Sequence, residues 1–347
     1  MDNQNFSNIC GKTYILTKDG YYLISELEHK LVYIWNGVSW DQIKINKNNK
    51  KSNETLYKIT FNDGSELKCT ENQKFNINKN IYTKMYDIKT VTGLKVNDKI
   101  IELELPILDG NINNDILYPY THGYYCGNML KPTLNKDEFQ IISTKNNLKY
   151  INLTEDKEKL KRYLNFSGKV LVNKRDKLVT LLIPTCMKIT YDVPINASLI
   201  NKIKWLSGMF DAVGVVTKKA EAKYIHITTT SHEFLYKVKL MCNTIGTNPI
   251  LSKHVLTRKI ILPDGSKKID TLDYWKLFFN SEFVYKLFNE LGLTTNYLSY
   301  NKNEINIDQD IQRYNIITEI IKISDNLDTY HCHKSKSEMT LVNSLLI

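Results

Sequence analysis

Over the first hundred residues, apolar and polar positions alternate in short runs punctuated by glycine. "TYILTKDGYYLI" alternates, turns at Asp19-Gly20 and resumes; "LVYIWNGVSW" turns at Asn36-Gly37 and "LYKITFNDGSELKCT" at Asp63-Gly64. Period-two patterning broken by such pairs predicts β-hairpins. Asn36-Gly37 and Asp63-Gly64 are the strongest signals, because both residues of each pair tolerate positive φ. Residues 12–105 therefore read as an all-β module, with the polar stretch "NKNNKKSN" (46–53) as a loop. After Pro106 the period lengthens. "ILYPYTHGYYCGNML" reads as a loop entering a helix, "TEDKEKLKRYL" as a charged helix and "KLVTLLIP" as a strand. "INKIKWLSGMFDAVG" is helical, "YIHITTTS" a strand, and "HEFLYKVKLMCNTIG" an amphipathic helix stopped by Gly246. "HVLTRKIILPDGSKKI" has the pattern of a hairpin and "DYWKLFFNSEFVYKLFNELGL" of one or two helices; the last segment, from Tyr314, returns to strand character. A β segment at each end with an α+β block between predicts an insertion: one β domain from residues 1–106 plus 316–347, and an inserted domain over 115–315.

Two predicted helices share a feature. "THGYYCGNM" carries Gly123 and Gly127; "LSGMFDAVG", about 85 residues further on, carries Gly208 and Ala212. Small residues four apart lie on one helical face. A mid-helix glycine costs about 1 kcal/mol against alanine, and close approach of two helix backbones is a reason to keep it, since large side chains hold axes about 8–10 Å apart. Each segment is followed by α/β material, so the middle of the chain reads as an internal repeat with halves 115–198 and 199–315.

The 347 residues suffice for two or three domains, and 42% hydrophobic residues is ordinary for a globular protein. No run of about 18 apolar residues occurs, and the polar N-terminus has no signal-peptide pattern, so an intracellular, non-secreted protein is expected. The six cysteines (Cys10, Cys69, Cys126, Cys186, Cys242, Cys332) form no CxxC pair. They are expected as free thiols rather than zinc ligands or disulfides. The net charge of +10 is compatible both with attraction to phosphate and with a lysine-rich composition alone.

"LSGMFDAVG" resembles the LAGLIDADG motif of homing endonucleases, and the likeness extends over nearly 50 residues of "KIKWLSGMFDAVG…ITTTSHEFLYKVKLMCNTIGTNPIL". The resemblance implies two such helices packed at a pseudo-dyad, each bringing an aspartate to a divalent metal that cleaves DNA, with β-sheets lying along the major groove. The metal-binding aspartate would be the second acid of the motif. Here that position is Val213; Asp211 remains at the position that serves helix-end structure in the family. In the first helix the equivalent position is Asn128, followed by Met129 where glycine is usual. Valine has no donor atom and asparagine only a neutral carbonyl, whereas Mg²⁺ calls for charged oxygens. No metal and no cofactor is therefore expected; Mg²⁺ would be expected only of an active endonuclease.

The flanks resemble the self-splicing Hint domain of inteins, in particular those of ribonucleotide reductase large subunits. "TYILTKDGYYLISEL" resembles the first splicing block, "GSELKCTENQKF" the second, "GLKVNDKIIE" the L-x-x-G-D-K segment that follows, "LIPTCMKITYDVP" a linker of the subgroup, and "TYHCHKSKSEMTLVNSLLI" its C-terminal pattern. The fold implied is α+β and multidomain: an all-β Hint domain built from both chain ends, carrying a LAGLIDADG-type pseudo-two-fold α/β domain. Splicing needs a first-residue nucleophile, a Thr-x-x-His pair and a terminal asparagine. Cys10 stands two residues closer to Thr13 than the family spacing. Thr70 is present, but Gln73 replaces the histidine and cannot act as acid or base near neutral pH. The chain ends at Ile347 without the terminal asparagine. Cys332 falls on an aromatic position of the pattern and reads as core; His331 and His333, flanking it on a strand, read as surface polar residues.

With Gln73, Asn128, Val213 and the C-terminus all altered while the periodicities persist, the expectation is a free-standing, catalytically inert descendant of an intein. It would be retained for double-stranded DNA binding or as an interaction component, for example in a particle of a large DNA virus, where its 22 tyrosines would favour interfaces. Candidate phosphate contacts are Lys218, Lys219, Lys223, Lys253, Arg258, Lys267 and Lys268, which alternate along predicted strands. The alternative is a working or partly working endonuclease with residual N-terminal cleavage. Oligomeric state is not legible.

Overall fold

A computed structural model describes residues 9–37, 39–47, 55–79, 86–101, 104–129, 143–145, 148–154, 167–173, 178–183, 192–219, 222–261, 267–296, 314–323, 327–334, 341–342 and 345–346. By contacts the chain divides into two compact units: residues 1–110, 242–250 and 308–347 form one, and 111–241 with 251–307 the other.

Among its described residues the first unit is β apart from short 3₁₀ turns and the end of one helix. Its strands join one 14-stranded sheet in which the two chain ends interleave. The strand Tyr314–Ile323 lies between Leu56–Phe61 and Lys99–Ile101, and Thr329–Lys334 lies between Trp40–Lys47 and Ile9–Cys10. The predicted hairpins form. At the Asp63-Gly64 turn only the glycine takes positive φ, at 78°. Asp63 instead closes the turn with its carboxylate, which accepts from the Ser65 amide and hydroxyl, each at 2.9 Å. Inward positions of all these strands (Ile15, Ile45, Ile59, Leu67, Phe75, Ile100, Ile317) meet in one buried cluster, the main driving force for this unit.

Residues 242–250 belong to this unit, although the sequence reading placed them in the inserted domain. The helix His232–Asn243 ends three residues before the expected Gly246. Gly246 sits in the following turn at φ 73°, where the Thr247 amide returns to the Cys242 carbonyl at 3.1 Å. The buried Thr244 carbonyl accepts from the Leu108 amide at 2.9 Å, and the buried Asn243 amide group reaches the Tyr21 hydroxyl at 3.4 Å.

The second unit repeats one plan. A helix, Pro119–Met129, precedes strands Ser143–Lys145, Leu148–Thr154, Lys169–Asn173 and Leu178–Ile183, ordered first, second, fourth, third in their sheet. A second helix, Leu199–Val213, precedes Val215–Lys219, Ala222–Thr229, Ile250–Ile261 and Lys267–Phe279, with the same order. The internal repeat read from the paired glycines is thus a repeat of topology.

Residues 273–279, expected as helix, are the end of a strand: Leu277 and Phe279 are buried and alternate with half-buried neighbours, the period of two a strand requires. The helix that follows begins only at Ser281, where the Asn280 side chain caps it by accepting from the Phe283 amide at 2.8 Å. Most of the predicted charged helix 154–164 lies outside the described residues. Among the described residues no helix is long and apolar enough to cross a membrane.

Candidate functional site

The two glycine-bearing helices pack backbone to backbone. Proline at the first position starts the first helix. Ser198 caps the second and is itself held by Asp115, whose carboxylate accepts from the Ser198 amide at 2.7 Å and its hydroxyl at 2.8 Å. The contact is reciprocal. A Cβ added to Gly123 would overlap the Trp205 carbonyl oxygen and lie 2.8 Å from its carbon; one added to Gly208 would overlap the Tyr120 carbonyl oxygen and lie 2.9 Å from its carbon. Both obstacles are main chain and cannot swing aside. Gly127 is closed differently: its Cβ would meet the Ala212 Cβ at 2.7 Å, the Met209 sulfur at 2.9 Å and a Val213 methyl at 3.3 Å. The side chain of Val213 therefore packs against the first helix at the end of the seam.

Asp211 is fully engaged. It is buried, accepts from the Tyr120 hydroxyl at 2.8 Å, and takes the Asn296 amide across both oxygens at 3.2 and 3.1 Å. The Asn296 side chain also reaches the Tyr120 hydroxyl at 3.3 Å. Burial, and next the nearby Asp211 charge, push the Tyr120 phenol well above its ordinary range, so it stays a donor. Aligning Gly123 with Gly208 pairs Tyr120 with Trp205 and Cys126 with Asp211. At the first-repeat position the chemistry has changed. The Trp205 indole donates to His122 Nδ1 at 3.0 Å, and the Cys126 sulfur lies 3.7 Å from the same nitrogen. Indole is only a donor, so His122 Nδ1 carries no proton. Burial raises the Cys126 thiol far above its usual range, which keeps it protonated beside His122. Tyr120, His122, Trp205 and Asn296 were missed from sequence; the register of the repeat was a signal for the first three.

Asn128 falls within the first helix, but its side chain lies outside the described residues. Among the described residues no cluster of three His, Cys, Asp or Glu is arranged to hold a metal.

The sheet following the second helix has two faces. Ile225, Ile227, Leu277 and Phe279 are buried, and Phe210 of the helix meets Phe279 edge-on at 5.1 Å. The opposite parity carries Tyr224, His226, Thr228, Tyr274, Lys276 and Phe278, all half-buried. Tyr224 stacks on Phe278, with centroids 5.1 Å apart. The backbone places Lys218 directly opposite Lys223, and Lys219 opposite Ala222. Arg258, Lys267 and Lys268 lie on the two long strands. The side chains of Lys218, Lys219, Lys223, Arg258, Lys267 and Lys268 are outside the described residues. Lys253 is described, and it is paired with Asp273 at 2.6 Å.

In the first unit, the short strand Ile9–Cys10 lies between two blocks that the sequence separates widely: Ile9 is opposite both Cys69 and Tyr330, and Cys10 opposite Thr329. Cys10, Thr70 and Gln73 are all buried. Gln73 donates its side-chain amide to the Lys74 carbonyl at 3.0 Å, leaving its buried side-chain oxygen without a hydrogen-bond partner. His331 is half-buried on the strand beyond Tyr330; the side chains of Cys332 and His333 are outside the described residues.

The family described as LAGLIDADG-like domain matches residues 201–292. This segment is similar to that family. Across 93% of its length the chain is 28% identical to the ribonucleoside-diphosphate reductase large subunit of Invertebrate iridescent virus 6, and spans about a third (34%) of that protein. The chain is thus similar over 201–292 to LAGLIDADG-like domains and over most of its length to part of a viral ribonucleoside-diphosphate reductase large subunit. Solved structures with local likeness include an Ssp DnaB mini-intein variant (TM-score 0.23, 17% identity, 30% of this chain and 65% of that one). Another is I-DmoI in complex with DNA and Mn (TM-score 0.28, 14% identity, 51% of this chain and 98% of that one).

Proposed function

We propose that the chain is a catalytically inert descendant of an intein-borne LAGLIDADG endonuclease that has kept duplex DNA binding. The observation that carries this reading is the end of the helix seam. At position 213 a valine methyl packs toward Gly127 where the resemblance calls for a metal-binding carboxylate, and the one acid of the motif, Asp211, is saturated by Tyr120 and Asn296. This donor set does not fit a hard divalent cation, which needs several charged oxygens in near-octahedral array. The splicing side is read the same way, because a glutamine at position 73 cannot transfer a proton. Retention of DNA binding is supported by the net charge of +10 and by the opposed Lys218 and Lys223 on the sheet that follows the second helix.

The test has two arms. In an electrophoretic shift series the full chain retards duplex DNA, and retardation weakens steeply as salt rises. Supercoiled plasmid stays intact in Mg²⁺ or Mn²⁺. Nicked or linear product that Val213→Ala or Asp211→Asn abolishes would sink the inert reading; absence of retardation at low salt would sink DNA binding. A second reading, a protein-interaction component, is favoured by Ile112, Leu117 and Ile200, large apolar side chains that stand more than half exposed in the second unit.

A further inference from the structure

The half-buried face of the second repeat's sheet gathers groups that gain charge, His226, His254 and Lys276, and Asp270 has the same parity at the far end of the strand Lys267–Phe279. His226, on Ala222–Thr229, touches the Thr217 hydroxyl through Nδ1 at 3.4 Å. On the neighbouring strand the register sets Phe278 opposite His226 and Lys276 opposite Thr228, so Lys276 is the diagonal neighbour of His226. On the next strand, His254 Nε2 lies 2.9 Å from the Ser252 hydroxyl, which also approaches the Lys276 carbonyl at 3.5 Å. The His254 ring stacks on Tyr274, with centroids 5.4 Å apart. The groups around His226 are thus Tyr224 on its own strand, Phe278 and Lys276 on one neighbour, His254 beyond, and Thr217 on the other side. Asp273, the nearby acid, has the opposite parity and is tied to Lys253.

This inference rests on the DNA-binding reading. We propose that this face takes up protons as it takes up DNA: duplex phosphates laid across His226, His254 and Lys276 favour protonation of His226, and its protonation in turn favours the duplex. The free protein opposes that charge. Burial first, then Lys276 and His254, lower His226 from its ordinary 6.5 to about 4. A polyanion cancels the repulsion from Lys276 and His254 and so raises the affinity of His226 for a proton. By linkage, binding then strengthens as pH falls, by up to about tenfold per pH unit for each proton taken up. Imidazole is the ordinary side chain that titrates between about pH 5 and 8, where phosphodiesters do not.

Calorimetry of the full chain with a mixed-sequence DNA duplex, at constant ionic strength near pH 6, tests this in two buffers of different ionisation enthalpy. The expected result is a buffer-dependent heat that reports net proton uptake, reduced in His226→Gln. Binding without proton uptake, or uptake that is unchanged in both His226→Gln and His254→Gln, overturns the inference while leaving DNA binding intact. No binding at any pH or salt overturns the DNA reading and this inference with it. If His226→Gln does not fold, the wild-type His226 ring can be titrated by NMR with and without duplex. A midpoint that rises on binding supports the proposal, and an unmoved one overturns it.

Discussion

The two ends of the helix seam were built from one plan and have diverged unequally. Where the helices touch by main chain they remain mirror-like: Gly123 faces the Trp205 carbonyl as Gly208 faces that of Tyr120. Where they touch by side chain they do not. The second repeat has a carboxylate held by a phenol and a backbone amide; the first has a thiol beside an imidazole that accepts from an indole. Backbone proximity leaves only one solution at a position, because no side chain removes a carbonyl from its path. A buried polar contact has several solutions, provided each donor finds an acceptor.

The largest effect that would test this asymmetry is at the main-chain contact. Gly208→Val should cost more than about 3 kcal/mol and leave the full chain unfolded or unable to form the second unit, as read by chemical denaturation. A change under about 1 kcal/mol would mean that the helices separate readily. Asp211→Ala comes next. It strands the Tyr120 hydroxyl and the Asn296 amide, and should cost about 2–3 kcal/mol, against about 1 kcal/mol for Cys126→Ala at the matching position. Equal costs would erase the claimed difference between the repeats. Val213→Asp places a charge against the first helix at Gly127 and should lower the melting temperature by several degrees, for about 1–2 kcal/mol. Recovery of that loss on adding Mn²⁺ would show that the seam can still gather a cation, contrary to the donor set described. The smallest effect is on pH dependence. His226 titrates near 4 in the folded chain and at 6.5 when unfolded. Its contribution is complete above pH 6.5 and is lost as pH falls toward 4, because only the unfolded chain takes up the proton there. His226→Gln should flatten this slope in melting curves recorded across that window.

Local signals made much of this legible. Glycine pairs announced the hairpins, and the two small-residue helices announced the repeat, because both depend on residues near one another in sequence. What escaped depends on distant partners. "DYWKLFF" has helix-compatible composition and becomes a strand only because Ile225, Ile227 and Phe210 cover one side of it. Asn296 lies 85 residues beyond Asp211, and no local pattern marks it as that carboxylate's donor. The role of Asp211 was expected from resemblance, but Tyr120 as its partner required the register of the two helices. Six of the seven basic candidates sit on strands whose backbone alone is described, so their reading still rests on sequence.

The interleaved sheet of the first unit also constrains the order of events at the ribosome. The strand Leu56–Phe61 waits for Tyr314–Ile323, and Trp40–Lys47 for Thr329–Lys334. About 250 to 280 residues must be translated between each strand and its mate, which at about 5–20 residues per second leaves open strand edges for tens of seconds. The glycine-seamed unit in between can finish first, so the strands Trp40–Lys47 and Leu56–Phe61 are among the last to be fully paired.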